Sequence, residues 1–351
     1  MKTIMLVDMD YFFVACEELR HPEIRNVPAI VGSDPKGGAG RGVVMTCNYN
    51  ARKYGIRSGM PISAAYRIKP DAVYMKLDYE YYEKISEKIM RTVKTFGDKF
   101  EQVSIDEAYI DVTKRVEGRP ALEYAEAVKK AVFENAGIKC SIGIGPNKLI
   151  AKIACEKAKP DGIKIVEEKD AKSFIEKMSV DELYGVGRKT AERLRAMGYE
   201  TVGQLAKANI AKMVGEFGSM GAELVRYANG VDDSEITENY AVKSIGREFT
   251  FEKDTDDMNE VEREIERLGN DVIEDVKKGG FTFKTVTLKL RYSDFTEHLH
   301  SRSIKAASEA SALINTAKAL YNENVDAEKK IRKVGVRVSN LASSRGQKRI
   351  V

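Results

Sequence analysis

Ser104-Ile105-Asp106-Glu107 sets two carboxylates side by side between two short apolar strand patterns, and a second acidic pair, Asp8 and Asp10, ends the first strand of the chain. Adjacent carboxylates repel and are costly to gather unless something positive sits among them. A hard divalent cation at a strand end meets that need, and two such ions about 3.5–4 Å apart suit phosphoryl or nucleotidyl transfer. In an extended strand Asp106 and Glu107 would point to opposite faces. A two-residue connection between antiparallel strands, Val103/Ile105 and Ile110/Val112, is therefore expected to hold both acids at its tip. Asp8 and Asp10 are two apart and share a face, so three or four carboxylates converge if the strands are neighbours. On the carboxylates alone, an ordinary acidic turn beside an unrelated Asp pair explains the pattern equally well.

A chain of 351 residues suggests two to four domains. Apolar content of 43% with 32% charged residues describes a soluble globular protein. The apolar run Ile4 to Val7 is too short for a signal peptide, and no stretch approaches the ~20 apolar residues of a membrane span, so a cytoplasmic protein is expected. Cys16, Cys47, Cys140 and Cys155 lack Cys-x-x-Cys spacing and read as buried hydrophobes rather than as zinc or disulfide sites. A net charge of +4 is too mild to prove a polyanionic partner.

Lys2 to Val7 reads as a strand, followed by a mixed stretch to Pro70 with a Gly-rich turn (Lys36 to Gly42) and helix-like segments after Asn48 and Pro61. Tyr82, Ile85, Ile89, Val93 and Phe96 form one apolar stripe at helical spacing, and Leu122, Ala125, Val128 and Val132 another. Cys140 to Gly145 is again a strand, with a helix from about Asn147 to Lys157. This βαββαβ-like order fits a small sheet with two helices on one face, the ferredoxin-like plan. Glu168 to Asp232 is helical in short pieces, Asp233 to Val242 a polar linker, and the remainder a second α+β domain. In that last domain residues 252–275 hold 11 acidic and 3 basic side chains, while the rest of 241–351 holds 18 basic and 7 acidic. Val286, Leu288 and Leu290 alternate with Thr287, Lys289 and Arg291, and Val334, Val336 and Val338 oppose Lys333 and Arg337, which predicts a basic sheet face suited to a duplex backbone.

Five collinear segments carry a resemblance: Asp8-Met9-Asp10-Tyr11-Phe12-Phe13, Asn48-Tyr49-Asn50-Ala51-Arg52, Ser104-Ile105-Asp106-Glu107-Ala108-Tyr109, Ser141-Ile142-Gly143-Ile144-Gly145-Pro146-Asn147-Lys148 and Lys159-Pro160-Asp161-Gly162. Together with Lys243 to Arg247 and Lys333 to Arg337, they resemble the Y-family (translesion) DNA polymerases, nearest the polymerase-IV-like branch. The resemblance implies a right-hand α+β multidomain enzyme: palm at 1–10 and 79–167, fingers at 11–78, helical thumb at 168–233, linker at 234–243 and little finger at 244–351. It implies that Asp8 and Asp106 bridge two Mg²⁺ ions, that Glu107 ligates the ion activating the primer 3′-hydroxyl, and that the Met9 carbonyl completes the nucleotide-side ion. Asp10 is left outside the metal shell.

The same resemblance assigns the triphosphate to Tyr49, Arg52 and Lys159, assisted by Thr46 and the amides of Tyr11 and Phe12. Phe13 becomes a steric gate against a ribose 2′-hydroxyl. Leu183-Tyr184-Gly185-Val186-Gly187-Arg188-Lys189 resembles a helix–hairpin–helix whose glycines admit a DNA phosphate without reading sequence. DNA contacts are thus expected at Gly185, Gly187, Lys189, Arg247, Lys289, Arg291, Lys333 and Arg337. A second glycine cluster, Phe217 to Gly221, reads as helix capping, and Asn147 and Lys148 serve equally as a phosphate-facing or a plain helix start. Primer–template DNA and a dNTP are the implied partners of a monomeric enzyme. A sliding-clamp partner would have to use another surface or a trimmed tail, since Gly346 to Val351 lacks a Gln-x-x-apolar-x-x-Phe-Phe peptide. A nucleotidyl cyclase and a non-enzymatic DNA-binding relative are the alternatives; the hairpin glycines and basic last domain oppose the first, and retention of all three acids opposes the second.

Overall fold

Alternation along the first strand sets the architecture. In β1 (Ile4–Met9), Met5, Val7 and Met9 enter one core, while Ile4 and Leu6 enter a second core on the other side of the same strand. Asp8 continues the Ile4–Leu6 face. The structure, a computed structural model, describes residues 2–238 and 241–343, so the tail Gly346–Val351 lies outside the described residues.

After β1 come α1 (Phe12–Arg20), β2 (Ala29–Gly32), β3 (Val44–Cys47), α2 (Tyr49–Arg52), α3 (Ile62–Ile68) and β4 (Val73–Met75). β2 pairs antiparallel with β3 and parallel with β4, so the Gly-rich segment lies in the β2–β3 connection, as a hairpin turn would. Next follow α4 (Tyr79–Lys94), β5 (Lys99–Gln102), β6 (Glu107–Asp111), α5 (Ala121–Ala136), β7 (Cys140–Gly145), α6 (Lys148–Ala158) and β8 (Ile163–Ile165). The larger sheet runs β5-β6-β1-β7-β8; each of its first four strands is antiparallel to its neighbours among them, in the ferredoxin-like order, and β8 is added parallel to β7. The α4 stripe packs into the core on one face of this sheet together with α5. Leu122 departs from expectation: it is 47% exposed, and Tyr124 takes the inward place. The opposite face carries α6, and Gly143 is what lets it approach, since a Cβ there would lie 2.0 Å from the Ala151 carbonyl oxygen.

Short helices follow: α7 (Ala171–Glu176), α8 (Arg188–Ala196), α9 (Val202–Leu205), α10 (Ile210–Phe217) and α11 (Ser219–Ala228). Gly218, at φ 63°, ends α10 and starts α11, in keeping with a capping role for the second glycine cluster. The chain divides into one unit of Met1–Ala39 with Val43–Asn239 and another of Gly40–Gly42 with Tyr240–Val351. The expected linker is not wholly free. Ile236 is buried with Ile4, Leu6 and Tyr109, and the Thr237 amide donates to Glu101 at 2.7 Å.

The second unit contains β9 (Ser244–Thr255), α12 (Met258–Lys278), β10 (Phe281–Tyr292), β11 (Glu297–Ala307), α13 (Ala310–Asn324) and β12 (Ile331–Ser339), with sheet order β11-β10-β12-β9. Val286, Leu288, Leu290, Val334, Val336 and Val338 are buried in the core it shares with α12 and α13. Among the described residues no helix is long and apolar enough to cross a membrane.

Candidate active site

Strand register brings the acids together. Asp8 on β1 lies directly opposite Glu107 on β6, and side chains of an opposed pair share a face. The acids do not sit on a two-residue tip. β5 stops at Gln102, residues Val103–Asp106 form the connection, and Glu107 is already the first residue of β6. Asp106 is tied to β1 through its carbonyl, which accepts the Met9 amide at 2.9 Å, and its carboxylate accepts the Ser104 hydroxyl at 2.5 Å. Burial pushes the Asp106 and Glu107 carboxyls up, and the nearby Asp8 charge adds to this. Asp10 is engaged elsewhere. Its carboxylate accepts the Ser141 hydroxyl (2.9 Å), the Tyr49 hydroxyl (3.2 Å) and the Asp161 amide (2.7 Å).

Asp8, Met9, Asp106 and Glu107 line one cleft of about 280 Å³ together with Tyr11, Phe12, Phe13, Thr46, Arg52 and Lys159. Tyr49 stands behind this lining, its ring edge-on to Tyr11 (5.3 Å) and beneath the Arg52 guanidinium (4.8 Å). Asn48 fixes this corner: its carbonyl oxygen accepts the Ala29 and Ala51 amides and its NH₂ donates to the Val27 carbonyl. Tyr11 adopts φ 38°, a left-handed conformation unusual for a residue with a side chain, and α1 begins there without a side-chain cap. The Phe13 ring stacks on Tyr82 at 4.9 Å. On β3, Val44 is buried and Met45 lines the cleft.

Three lining residues escape the sequence reading: Ser58, Glu156 and Lys152. The Lys152 ammonium lies 3.2 Å from Asp8 and bonds Glu107, while Lys159 lies 2.9 Å from Asp8. Burial opposes the charge on Lys152, yet Asp8 and Glu107 outweigh it and hold the ammonium above the usual lysine range. The side chains of Asn147 and Lys148 serve the helix start and the fold around it. Asn147 caps α6 through the Ile150 amide, the Leu149 amide is taken by the Asp232 carboxylate, and Lys148 pairs with buried Glu101 at 2.7 Å.

No ready-made cluster of three metal-ligating side chains is present among the described residues. The donor set nevertheless fits a hard cation: carboxylate oxygens on adjacent strands, buried at Asp8 and half-buried at Glu107, with an ammonium already drawn between the two.

Gly185 (φ 85°) and Gly187 bracket the hairpin before α8. A Cβ at either would meet nothing within 4 Å, and both are exposed with Lys189 over the buried anchors Leu183 and Val186. In the second unit Lys289, Arg291, Lys333 and Arg337 share the sheet face opposite the core, which is not simply basic; Arg247 does not join them, because it lies opposite core residue Val336 on the helix side. Lys289 pairs with Glu248 (2.9 Å) and Glu297 (3.1 Å), Lys333 with Glu248 (2.9 Å), Arg291 with Glu297 and Arg247 with Asp275. Arg337 is exposed and has no ion pair among the described residues. Burial opposes ionisation of Glu248, but Lys333 and Lys289 outweigh it and hold its carboxyl below the usual range. Neutralising Lys289, Arg291 and Arg337 together is expected to weaken duplex binding equally for all sequences and to flatten the salt dependence by about one unit of slope per lost phosphate contact. Glu248→Gln, which releases Lys333 and leaves Lys289 with Glu297 alone, is expected to tighten binding by about two- to fivefold, the size of exposed ion pairs. Fluorescence anisotropy across a salt series checks both, and selective loss of one duplex sequence would show base reading instead.

The impB/mucB/samB family profile matches residues 7–156 and its C-terminal domain profile residues 242–350, with a DNA polymerase-iota thumb profile at 181–232 between them. The chain is 42% identical to DNA polymerase IV 2 of Methanosarcina mazei over 97% of its own length and 92% of that protein's, and 40% identical to DNA polymerase IV of Methanoculleus marisnigri over 97% and 94%. A solved Y-family DNA polymerase chimera, Dbh-Dpo4(243-245)-Dbh, superposes with a TM-score of 0.89 at 30% identity, covering 97% of this chain and 99% of that one. The insertion ternary complex of Dbh DNA polymerase covers the same shares with a TM-score of 0.68 at 28% identity. Acids paired across β1 and β6, hairpin glycines before α8 and near full-length likeness agree: the chain belongs to the Y family of DNA polymerases, in its polymerase-IV branch.

Proposed function

We propose that the chain is a template-directed DNA polymerase that adds dNMP to a primer 3′ end by two-metal nucleotidyl transfer, bypasses lesions with low fidelity and does not proofread. The observation that carries this is the meeting of Asp8, Asp106 and Glu107 in one cleft with Arg52, Lys159 and Phe13. Asp8 and Asp106 would hold two Mg²⁺ ions, Glu107 the one beside the primer hydroxyl, and the Met9 carbonyl the one beside the nucleotide. Bound ions of this kind acidify the attacking hydroxyl and neutralise the triphosphate. Arg52 offers a planar fork to phosphate oxygens and Lys159 a mobile point charge. Lys159 leaves Asp8 for the triphosphate as the nucleotide enters. Residues 1–10 and 79–167 act as palm, 11–78 as fingers, 168–233 as thumb and 244–351 as little finger, the last two gripping primer–template DNA through backbone contacts. Dbh DNA polymerase, 28% identical to this chain, has been solved as an insertion ternary complex, which supports such an assembly here. The enzyme works as a monomer.

Primer extension with dNTPs, with and without a chelator, tests the core of this reading. Chelator-resistant extension would refute the metal role, and absence of extension in Mg²⁺ or Mn²⁺ would refute polymerisation. Lesion bypass rests on how little the fingers offer for enclosing a base pair: three strands of three or four residues and three short α-helices. Discrimination in accurate enzymes comes largely from closing around a correct fit. Extension past an abasic or oxidised template base is therefore expected at rates within about tenfold of an undamaged control, a barrier difference near 1.4 kcal/mol. Met45 lines the cleft with a large but pliable side chain, which narrows the range of bulky lesions without closing the site. Arrest at every lesion with replicative accuracy would remove the translesion part alone.

A further inference from the structure

Lys152 is held by α6 between two sets of acids. Its ammonium contacts Asp8 (3.2 Å) and Glu107 on the cleft side and Glu156 (3.3 Å), one turn further along the same helix. The Lys152 side chain is 18% exposed, whereas Glu156 is half exposed. Gly143 enforces the approach: without a Cβ on β7, α6 lies flush on the sheet and places Lys152 over the Asp8–Glu107 pair. The two oxygens of Asp8 are divided, one facing Lys152 and the other Lys159.

We propose that Lys152 is a displaceable counter-ion, which holds Asp8 and Glu107 together before metal enters, yields their oxygens to the incoming divalent cation and is then received by Glu156. The inference rests on the reading that Asp8 and Glu107 ligate metal. Buried Asp8 and half-buried Glu107, opposed across β1 and β6, repel each other unless a positive group lies between them. Lys152 supplies one charge and keeps the pair from splaying. A divalent cation supplies two charges and, in the case of Mg²⁺, binds oxygen at about 2.0–2.1 Å, so it and the ammonium cannot use the same oxygens. Metal entry is therefore an exchange, and Lys152 lowers the affinity for the first ion while preserving the geometry that receives it. A lysine suits this duty, being a compact charge on a flexible stem, where a bidentate arginine would hold on. Glu156 sits at i+4, in reach by side-chain rotation alone, so the exchange strands no buried charge.

Direct binding of Mn²⁺ without DNA or nucleotide, read as loss of the free-ion electron paramagnetic resonance signal, tests the exchange. Lys152→Met is expected to bind Mn²⁺ about tenfold tighter than the wild type, equivalent to about 1.4 kcal/mol. Glu156→Gln is expected to bind about twofold more weakly, the size of one exposed i,i+4 pair, and the double variant to match Lys152→Met. In EDTA, Lys152→Met should melt below the wild type and gain more from Mn²⁺; Lys152→Gln gives the same comparison where the methionine variant does not fold. Unchanged or weaker Mn²⁺ binding by both Lys152 variants overturns the proposal. So does a Glu156→Gln effect that persists in the Lys152→Met background, because Glu156 would then act on the metal itself. Loss of Mn²⁺ binding in Asp8→Asn upholds the metal reading independently, so a lysine failure on that background leaves the reading intact. Absence of Mn²⁺ uptake by both wild type and Lys152→Met removes both.

Discussion

Asp106→Ala is expected to lower nucleotide addition by about three orders of magnitude or more, some 4 kcal/mol on the barrier, while duplex affinity stays within about twofold. The asymmetry follows from position. Asp106 ends the β5–β6 connection inside the cleft, where its side chain hydrogen-bonds Ser104, whereas the exposed thumb hairpin lies outside the cleft lining. Burial, together with the Asp8 charge, pushes its carboxyl up, so the metal-free fold gains nothing from ionising it. Removing the group should leave the melting temperature in EDTA unchanged or raised, the usual signature of a site held against its own stability. Single-nucleotide incorporation under pre-steady-state conditions, with anisotropy on the same primer–template, separates the effects. Incorporation in Mg²⁺ at near wild-type rates would overturn the assignment of Asp106, and parallel loss of DNA affinity would show that the acid positions the loop rather than an ion.

How far these groups were legible depends on which kind of order the sequence encodes. Strict alternation in Ile4–Met9 reveals that Asp8 shares the Leu6 face, and the helical stripe of Tyr82, Ile89 and Val93 reveals α4. Val103 and Ile105 mislead by the same logic. They continue the apolar alternation past Gln102, yet Val103 is 43% exposed in a connection and Ile105 packs against the core from that connection. Lys152 is invisible for another reason. Lys148, Lys152 and Glu156 make an ordinary polar stripe on α6, and only the placement of β1 between β6 and β7 turns it toward the acids. Pairing across the second sheet is hidden likewise. Glu248 on β9 and Lys289 on β10 are separated by β12, but the residue between them is Gly335, and with no side chain there the two meet above it. Alternation marks the face on which a residue lies. Strand order decides which charges it finds there.

Phe13→Ala is expected to raise ribonucleotide use relative to deoxynucleotide by about a hundredfold, near 2.7 kcal/mol of lost discrimination. A side chain rejects a 2′-hydroxyl sterically only if it cannot retreat, and the surroundings of Phe13 deny it room. Its ring stacks on Tyr82 at 4.9 Å and 25°, with Tyr79 at 6.1 Å on another side. Tyr82 is fully buried and is held by its hydroxyl, which donates to the Glu17 carboxylate at 2.6 Å. Close-packed interiors resist such displacement, so the platform behind the ring is stiff. Phe13 also belongs to the edge of the first core, so its truncation lowers stability as well, by an amount below the roughly 3–5 kcal/mol typical of fully buried Phe→Ala changes. The two consequences separate by control. Tyr82→Phe keeps the ring but strips buried Glu17 of its donor, which costs about 1–3 kcal/mol of stability. If sugar choice follows the ring, Tyr82→Phe discriminates as well as the wild type despite melting lower, and Phe13→Ala fails to discriminate whatever its melting temperature. The measurement is the ratio of kcat/KM for matched rNTP and dNTP on one primer–template. An unchanged ratio in Phe13→Ala would reduce Phe13 to core packing, and a ratio that rises in both variants would tie selectivity to general loosening of the palm rather than to the gate.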